Sequence, residues 1–521
     1  MTGTGSVTSL LIRTNRLRLA VWTVAIPALL AFGALSVKAL YPTLADRESY
    51  AAMAELVTAQ IAFNGPPAAL TTLGGIVVFE AGWLLTLAVA VCSILIGVRI
   101  TRGQEETGTL ELLRSGRVSS GATLLAAALV LGSLLAVIAI ASGAALIATG
   151  TAIMGALVYG AALFCVGVFF GAVAVSAAQI TSQSRAAYGL AFAVLGTSFA
   201  FRAAGDAGGN ALSWLSPLGW AQASEPFGAN NLWPLLLLLA AAIGIAGGAW
   251  MLNQRRDLGA GVIAPRPGRV TASALASSPL GLQLRLARAT ILAWFAGIAI
   301  MMVAFGSMAT TAEDFAASSD GTAEVIAAFG GTSLTDAFLV FSILVLAILS
   351  GGCAVSLTMR VRADEDSGRI AVLATAPVRR TTIFAGYLFS ALSAALLLLA
   401  FGALMLGVGY AVGTGDWTIV GGVVGSALAH FPAIVALAAA ALALAAVRPD
   451  SASVAWAVYA ATATIALLGP AFSLPGWVAN LSVFEHVPEY PSLAWPITIG
   501  GLGCLLAAVA LGVFERRDLR T

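Results

Sequence analysis

The chain is short of charge. Only 10% of its 521 residues are Asp, Glu, Lys or Arg, against about 25% in a typical soluble domain. That is too little ionisable side chain to cover a water-facing surface, so a soluble globular fold is excluded. Lysine is scarcer still: Lys38 is the single one, in ALSVKAL, with no glycine before it and no Ser or Thr after it. A phosphate-binding loop of the form G-x-x-x-x-G-K-S/T needs its lysine in that setting to reach the phosphates. No polar stretch is long enough for a nucleotide-binding domain either, so the chain does not hydrolyse ATP itself and is no enzyme on its own. The four cysteines, Cys92, Cys165, Cys353 and Cys504, stand singly inside apolar runs without metal-ligand spacing. They read as small core residues, not as a zinc site or a disulfide framework. The net charge of +2 gives no reason to expect nucleic acid.

What is abundant is apolar: 60% of residues are hydrophobic and the mean hydropathy is +0.96. The expected fold is an all-α polytopic membrane protein. A crossing helix needs about 20 apolar residues, and suitable runs lie near 20–40, 76–99, 121–148, 152–178, 186–204 and 233–253. A second set lies near 289–309, 334–358, 382–411, 418–447, 453–470 and 496–514, which makes twelve spans. The break at 149–151 is the narrowest division. Arg13, Arg16 and Arg18 precede a run long enough to span, so the first helix is expected to be retained, not cleaved as a signal peptide.

The arginines set an orientation. With both termini cytoplasmic, the inner segments collect 23 of the 26 Lys and Arg residues, leaving Lys38, Arg47 and Arg202 outside. A bias of that size fixes topology, and a multi-pass protein of a bacterial plasma membrane is expected.

Two polar interruptions stand out among the spans: RGQEETGTLELLRSGRV at 102–118 and RADEDSGRIAVLATAPV at 362–378. Aligned, they match identically or conservatively at ten of 17 positions, among them Arg102/Arg362, Glu105/Glu365, Gly108/Gly368, Leu113/Leu373 and Val118/Val378. Arg13, Arg16 and Trp22 pair with Arg285, Arg288 and Trp294, Trp233-Pro234 with Trp495-Pro496, and RRDL at 255–258 with RRDL at 516–519. Anchors kept in one order imply a tandem duplication: a first six-helix half at 1–258, a linker at 259–280 and a second half at 281–521. With six spans each, the halves are parallel repeats about an axis along the membrane normal.

Each half opens with a basic segment, SLLIRTNRLRLAVW or LQLRLARATILAW. Its arginines three apart share one helical face, which suits either an interfacial helix among headgroups or simple topology-setting charge. In the polar interruptions, Leu110 and Leu113, or Ile370 and Leu373, are one turn apart and predict an apolar ridge on a short helix. Glu105, Glu106, Glu365 and Asp366 are expected near that helix's N-terminus, where negative charge is favoured. Gly108 and Gly368 permit a sharp turn. A ridge exposed to the cytosol twice suits docking into a groove on a partner.

These segments resemble a known family. ETGTLELLRSGRVS is similar to the E-x-G-T-x-E-x-L-x-x-x-P-V-S motif of ABC type-2 exporter permeases, in the loop after their second span. The second copy, EDSGRIAVLATAPVRR, includes Pro377, where the first has Arg117, but has Ala371 in place of Glu111. WLSPLGW at 214–220 and LSVFEHVPEYP at 481–491 further resemble the fused double-length permeases of the actinobacterial tetronasin and polyketide-antibiotic exporter group. The resemblance implies that 102–118 and 362–378 are coupling helices seated in the ATPase subunit, through Glu105, Glu106, Gly108, Leu110, Leu113, Val118, Glu365, Asp366, Gly368, Ile370, Leu373, Pro377 and Val378. It also implies two copies of that ABC ATPase, which bind the ATP and magnesium, and export of hydrophobic or amphiphilic small molecules by alternating access.

Charged and polar residues in or beside spans are candidates for the translocation path: Glu80, Arg202, Asp336 and His430, for each of which a helix-end or pairing role is equally open. Gly167/Gly171 and Gly409/Gly413 have the spacing of close helix crossings. The rival reading is a proton-coupled carrier of the major facilitator type, whose loop signature RADEDSGRIAV only partly matches and whose mid-membrane carboxylates are almost missing here. A membrane scaffold that docks an ATPase is a third.

Overall fold

The computed structural model describes residues 3–54, 61, 63–114, 118–256, 261–262, 278–310, 333–447, 452–472, 475–486 and 494–517. Most of the expected linker, the acidic stretch within 311–332 and the PEYP of 488–491 therefore lie outside the described residues, as do the side chains of Leu113, Trp495 and Pro496. All described regular structure is helical. The chain forms two compact units, Met1–Gly268 and Arg269–Thr521.

In the first unit α1 is Thr4–Leu40, α2 Leu44–Ala54, α3 Leu73–Val77, α4 Trp83–Ile100, α5 Arg102–Glu106, α6 Thr109–Arg114, α7 Ser120–Ala148, α8 Ile153–Ile180, α9 Ser184–Gly208, α10 Pro217–Gln222 and α11 Trp233–Arg255. In the second, α12 is Pro279–Ala309, α13 Leu334–Thr358, α14 Arg360–Asp366, α15 Arg369–Ala374, α16 Arg380–Thr414, α17 Ile419–Leu428, α18 Phe431–Val447, α19 Ala452–Phe472, α20 Gly476–Ala479 and α21 Ala494–Arg516.

Eleven helical segments among the described residues are long and apolar enough to cross a membrane, α17 and α18 together making one of them, Ile419–Val447. The expected twelfth coincides with α19, whose described apolar stretch, Val454–Leu467, is shorter than a bilayer crossing. Long helices are what such composition demands, because lipid offers backbone N–H and C=O groups no partner outside the helix. Their starts are set locally. Ser278 accepts from the Gly281 amide at 3.1 Å with Pro279 in the first turn, and Ser333 accepts from the Asp336 amide at 3.1 Å. These are N-cap bonds that satisfy otherwise orphaned donors. The narrow break at 149–151 is a turn with Gly150 at φ +94°, and Lys38 Nζ donates to the Thr149 carbonyl at 3.2 Å.

Of the two readings of the basic segments, the structure favours topology-setting charge over an interfacial helix: they continue without a break into the apolar runs as α1, of 37 residues, and α12, of 31. At 1.5 Å per residue both are longer than the roughly 30 Å of a bilayer's hydrocarbon core.

Each unit packs in the same pairs. In the first, α1 lies on α7, α7 and α4 on α8, and α11 on α8; in the second, α12 lies on α16, α16 on α17 and α18, α13 on α18, and α21 on α18. Small residues set the approach. A Cβ on Gly167 or Gly171 would lie 2.4 or 2.5 Å from Leu135 or Leu131 of α7, and one on Gly409 2.5 Å from the Val303 carbonyl of α12. In the second unit Phe384 and Phe514 stack with centroids 3.8 Å apart, joining α16 to α21.

Candidate functional site

The two polar interruptions fold alike. After Ile100 and after Thr358 the chain makes a short helix, α5 or α14, then turns sharply into a second one, α6 or α15. At the corner Gly108 and Gly368 both have φ +71°, the left-handed region that glycine enters without steric cost. Their amides donate to the carbonyls of Glu105 and Glu365 at 3.1 and 2.9 Å, closing equivalent turns. Each pair of short helices is an elbow at the arginine-rich end of its unit.

The inner side of each elbow is a buried ion cluster. In the first unit the Glu105 carboxylate receives Arg102 from one turn before and Arg256 from just past the end of α11; Arg256 Nη1 reaches its Oε2 at 2.9 Å. Arg102 also donates to the carbonyls of Ala178, at 3.0 Å, and Thr181, while Arg256 Nε donates to Gln179 Oε1 at 2.7 Å. Those carbonyls belong to the C-terminal end of α8, where helix carbonyls lack internal partners and the dipole favours cations. In the second unit Glu365 receives Arg362 at 3.1 Å and Arg517, just past the end of α21, at 2.5 Å. Arg517 also donates to the Ala445 carbonyl near the end of α18 at 3.4 Å. Arg–Glu–Arg thus binds elbow, fourth-span end and last-helix end together in both units.

The side chains of Glu105 and Glu365 are 6% and 1% exposed. Removing one partner of such a buried pair typically costs about 3–5 kcal/mol, because the other charge is left uncompensated.

Other partners differ between the elbows. Glu106 accepts from both the amide and the hydroxyl of Ser184 at 2.6 Å, capping the start of α9. Asp366, matched to it in sequence, is 58% exposed and pairs with Arg362 at 3.0 Å. Asp364 accepts from the Tyr387 hydroxyl of α16 at 2.7 Å and pairs with Arg369. The first unit has Gln104, Ala127 and Thr109 at the corresponding places.

The expected exposed ridge is corrected. Leu110 is 6% and Ile370 1% exposed, and Leu373 packs partly buried against the second unit's core together with Val378. The left-handed corner rolls this face of the short helix inward, onto the unit's own apolar surface. The outward face carries Glu111 in the first unit and Val372, 71% exposed, in the second, followed by exposed Pro377. Val118 is half-buried beside Gly3, at the start of α1. The acids end α5 and α14; they do not begin the helix that follows.

The translocation candidates do not form one cluster. Glu80 lies in a π-helical turn, Val78–Gly82, and receives the Tyr50 hydroxyl; at the end of that turn the Gly82 carbonyl accepts from the Tyr159 hydroxyl at 2.8 Å and the Thr86 hydroxyl at 2.9 Å. Arg202 is 2% exposed, donates to the Phe63 carbonyl at 2.7 Å and sits 4.8 Å from the Phe199 ring and 5.7 Å from that of Trp83. It lines, with Trp83, Tyr159 and Phe199, a cavity of about 80 Å³ in the first unit. Asp336 is in the first turn of α13, behind its Ser333 cap. His430 occupies the break between α17 and α18, its Nδ1 3.1 Å from the Ser426 carbonyl. Among the described residues no group of three or more His, Cys, Asp or Glu is arranged to hold a metal ion.

Sequence reasoning passed over two pairs. Arg256 and Arg517 were legible only as markers of duplication, though their matched position was the signal. Ser216 and Ser482, both fully buried, donate back to the carbonyls of Ser198 and Thr462 at 2.6 and 2.9 Å. Each ties the segment before its last helix to the preceding long one.

Comparison with known proteins gives concordant matches. The family described as "Multidrug efflux system permease Rv1217c, C-terminal domain" matches residues 276–515. Over 533 aligned positions the chain is 36% identical to the multidrug efflux system permease protein Rv1217c of Mycobacterium tuberculosis (strain ATCC 25618 / H37Rv), covering all of this chain and 96% of that protein.

Proposed function

Because the chain belongs to the family of the Mycobacterium tuberculosis multidrug efflux system permease, we propose that it is the membrane permease of an ATP-driven ABC exporter, moving hydrophobic or amphiphilic small molecules while a separate subunit hydrolyses ATP. The observation that carries the mechanism is the recurrence of the elbow: two left-handed glycine corners, each backed by an Arg–Glu–Arg cluster. A lone polar loop needs only solvation. Two with the same corner and the same buried anchor suit a machine that is pushed at two equivalent places.

In this reading the chain is a tandem repeat with both termini cytoplasmic, and the elbows face the cytosol. A pair of ABC ATPase subunits binds ATP and magnesium and meets the elbows on their outward faces, around Glu111 in one and Val372 and Pro377 in the other. Leu110, Ile370 and Leu373 hold the short helices to their own units, so the elbow moves as part of the bundle. Closure of the ATPases shifts the permease from an inward-open to an outward-open state. Transport follows if the cargo binds the first state more tightly than the second. Glu80, Arg202, Asp336 and His430 are the polar groups along the spans from which a cargo path would draw.

The test is to purify the chain in mild detergent and identify by mass spectrometry what travels with it. Two copies of a P-loop ATPase per permease are expected. Isolation without an ATPase, with transport driven by a proton gradient, would overturn the exporter reading.

A further inference from the structure

Resting on the reading that the elbows receive the ATPase, we infer that Arg256 and Arg517 are positioning residues that lock each elbow to the last helix of its unit. Both arginines follow the end of a long helix, α11 or α21, and reach back across the sequence to a glutamate in the elbow, Glu105 or Glu365. No backbone connection joins these parts directly; the ion cluster does. The same cluster grips the end of the fourth span, through Gln179 and the Ala178 and Thr181 carbonyls in one unit and the Ala445 carbonyl in the other. The elbow, the end of the last helix and the end of the fourth span are therefore pinned at one carboxylate.

The chemistry suits a lock more than a surface contact. An arginine fork against a carboxylate fixes direction as well as distance, which a lysine does not. Exposed ion pairs are screened and contribute little, whereas these carboxylates are almost wholly buried. A further bond strengthens the second lock: Arg380, at the start of α16, donates to the Arg517 carbonyl at 3.1 Å. With the lock in place, displacement of an elbow carries the end of the last helix with it. Without it the end of the last helix is no longer tied to the elbow, and less of that displacement reaches it.

The experiment uses the full chain with its ATPase in nanodiscs, with Cys92, Cys165, Cys353 and Cys504 replaced. Spin labels go on exposed elbow and last-helix positions, Thr107 with Met251 and, separately, Ser367 with Val509. Distances are read by pulsed electron resonance without nucleotide and with ATP trapped by vanadate. In the unaltered chain both distances stay narrow and unchanged, because the labelled parts move together. Arg256→Gln broadens or shifts the Thr107–Met251 distance on trapping and leaves Ser367–Val509 alone; Arg517→Gln does the reverse. Arg256→Lys keeps the charge and gives an intermediate width, a graded response that misfolding does not produce. Unchanged distances in both Gln variants, with the ATPase still bound, would overturn the lock alone. An unaltered chain that never retains an ATPase would overturn the proposed function, and the lock with it.

Discussion

Gly108 and Gly368 hold the same backbone angle, φ +71°, at the corners of elbows in different units, and an added Cβ at either would meet nothing within 4 Å. Space is therefore not what requires glycine there; conformation is. An L-residue in this region costs about 1–2 kcal/mol, with asparagine tolerated better than alanine. Gly368→Ala should insert normally, lower the ATP-driven transport rate and reduce thermal stability slightly, while Gly368→Asn recovers most of both. Equal behaviour of the two variants in a transport assay and a detergent melt would mean the left-handed corner is dispensable.

Val372 and Ile370 are two residues apart on the same short helix and face opposite ways, 71% and 1% exposed. The sequence pattern pointed to the Ile370 and Leu373 face as the docking ridge, whereas the structure turns that face inward. Val372→Asp should leave the permease's melting temperature unchanged and remove the ATPase from the purified complex. Ile370→Asp buries an unpaired charge, a large penalty, and should lower the yield of folded permease first. If Val372→Asp retained the partner in full, the outward face of α15 would not be the contact.

The membrane class, the positions of eleven of the twelve expected spans and the likeness of the two polar segments were readable, because lipid imposes its composition on the sequence. The direction of the elbow ridge was not. Leu110 and Leu113 have the spacing of a helix face, but spacing is silent on whether that face meets a partner or its own bundle. The answer depends on the left-handed corner before them. The continuity of α1 through Arg13, Arg16 and Arg18 was hidden for a related reason, since a change of polarity marks a change of surroundings and not the end of a helix. From sequence, Glu105 is expected near the start of the docking helix. Only the fold brings Arg256 to it, from a segment whose repetition was visible and whose partner was not.

Glycine spacing was a weak sequence signal, and the structure separates glycines that matter from those that do not. Along α12, a Cβ on Gly306 would lie 2.1 Å from the Leu406 carbonyl, where α12 crosses α16, while one on Gly297 would touch nothing. Backbone cannot yield as a flexible side chain can, so Gly306→Ala must push the two helices apart and break the packing around Gly409. Over-packing of this kind costs about 1–3 kcal/mol or more. Gly297→Ala only removes conformational freedom from the unfolded chain and should be neutral or stabilising by up to about 1 kcal/mol. In thermal melts in one detergent, Gly306→Ala should therefore fall below the parent while Gly297→Ala does not. A Gly306→Ala protein as stable as the parent would show that α12 and α16 are not held at backbone contact in the membrane.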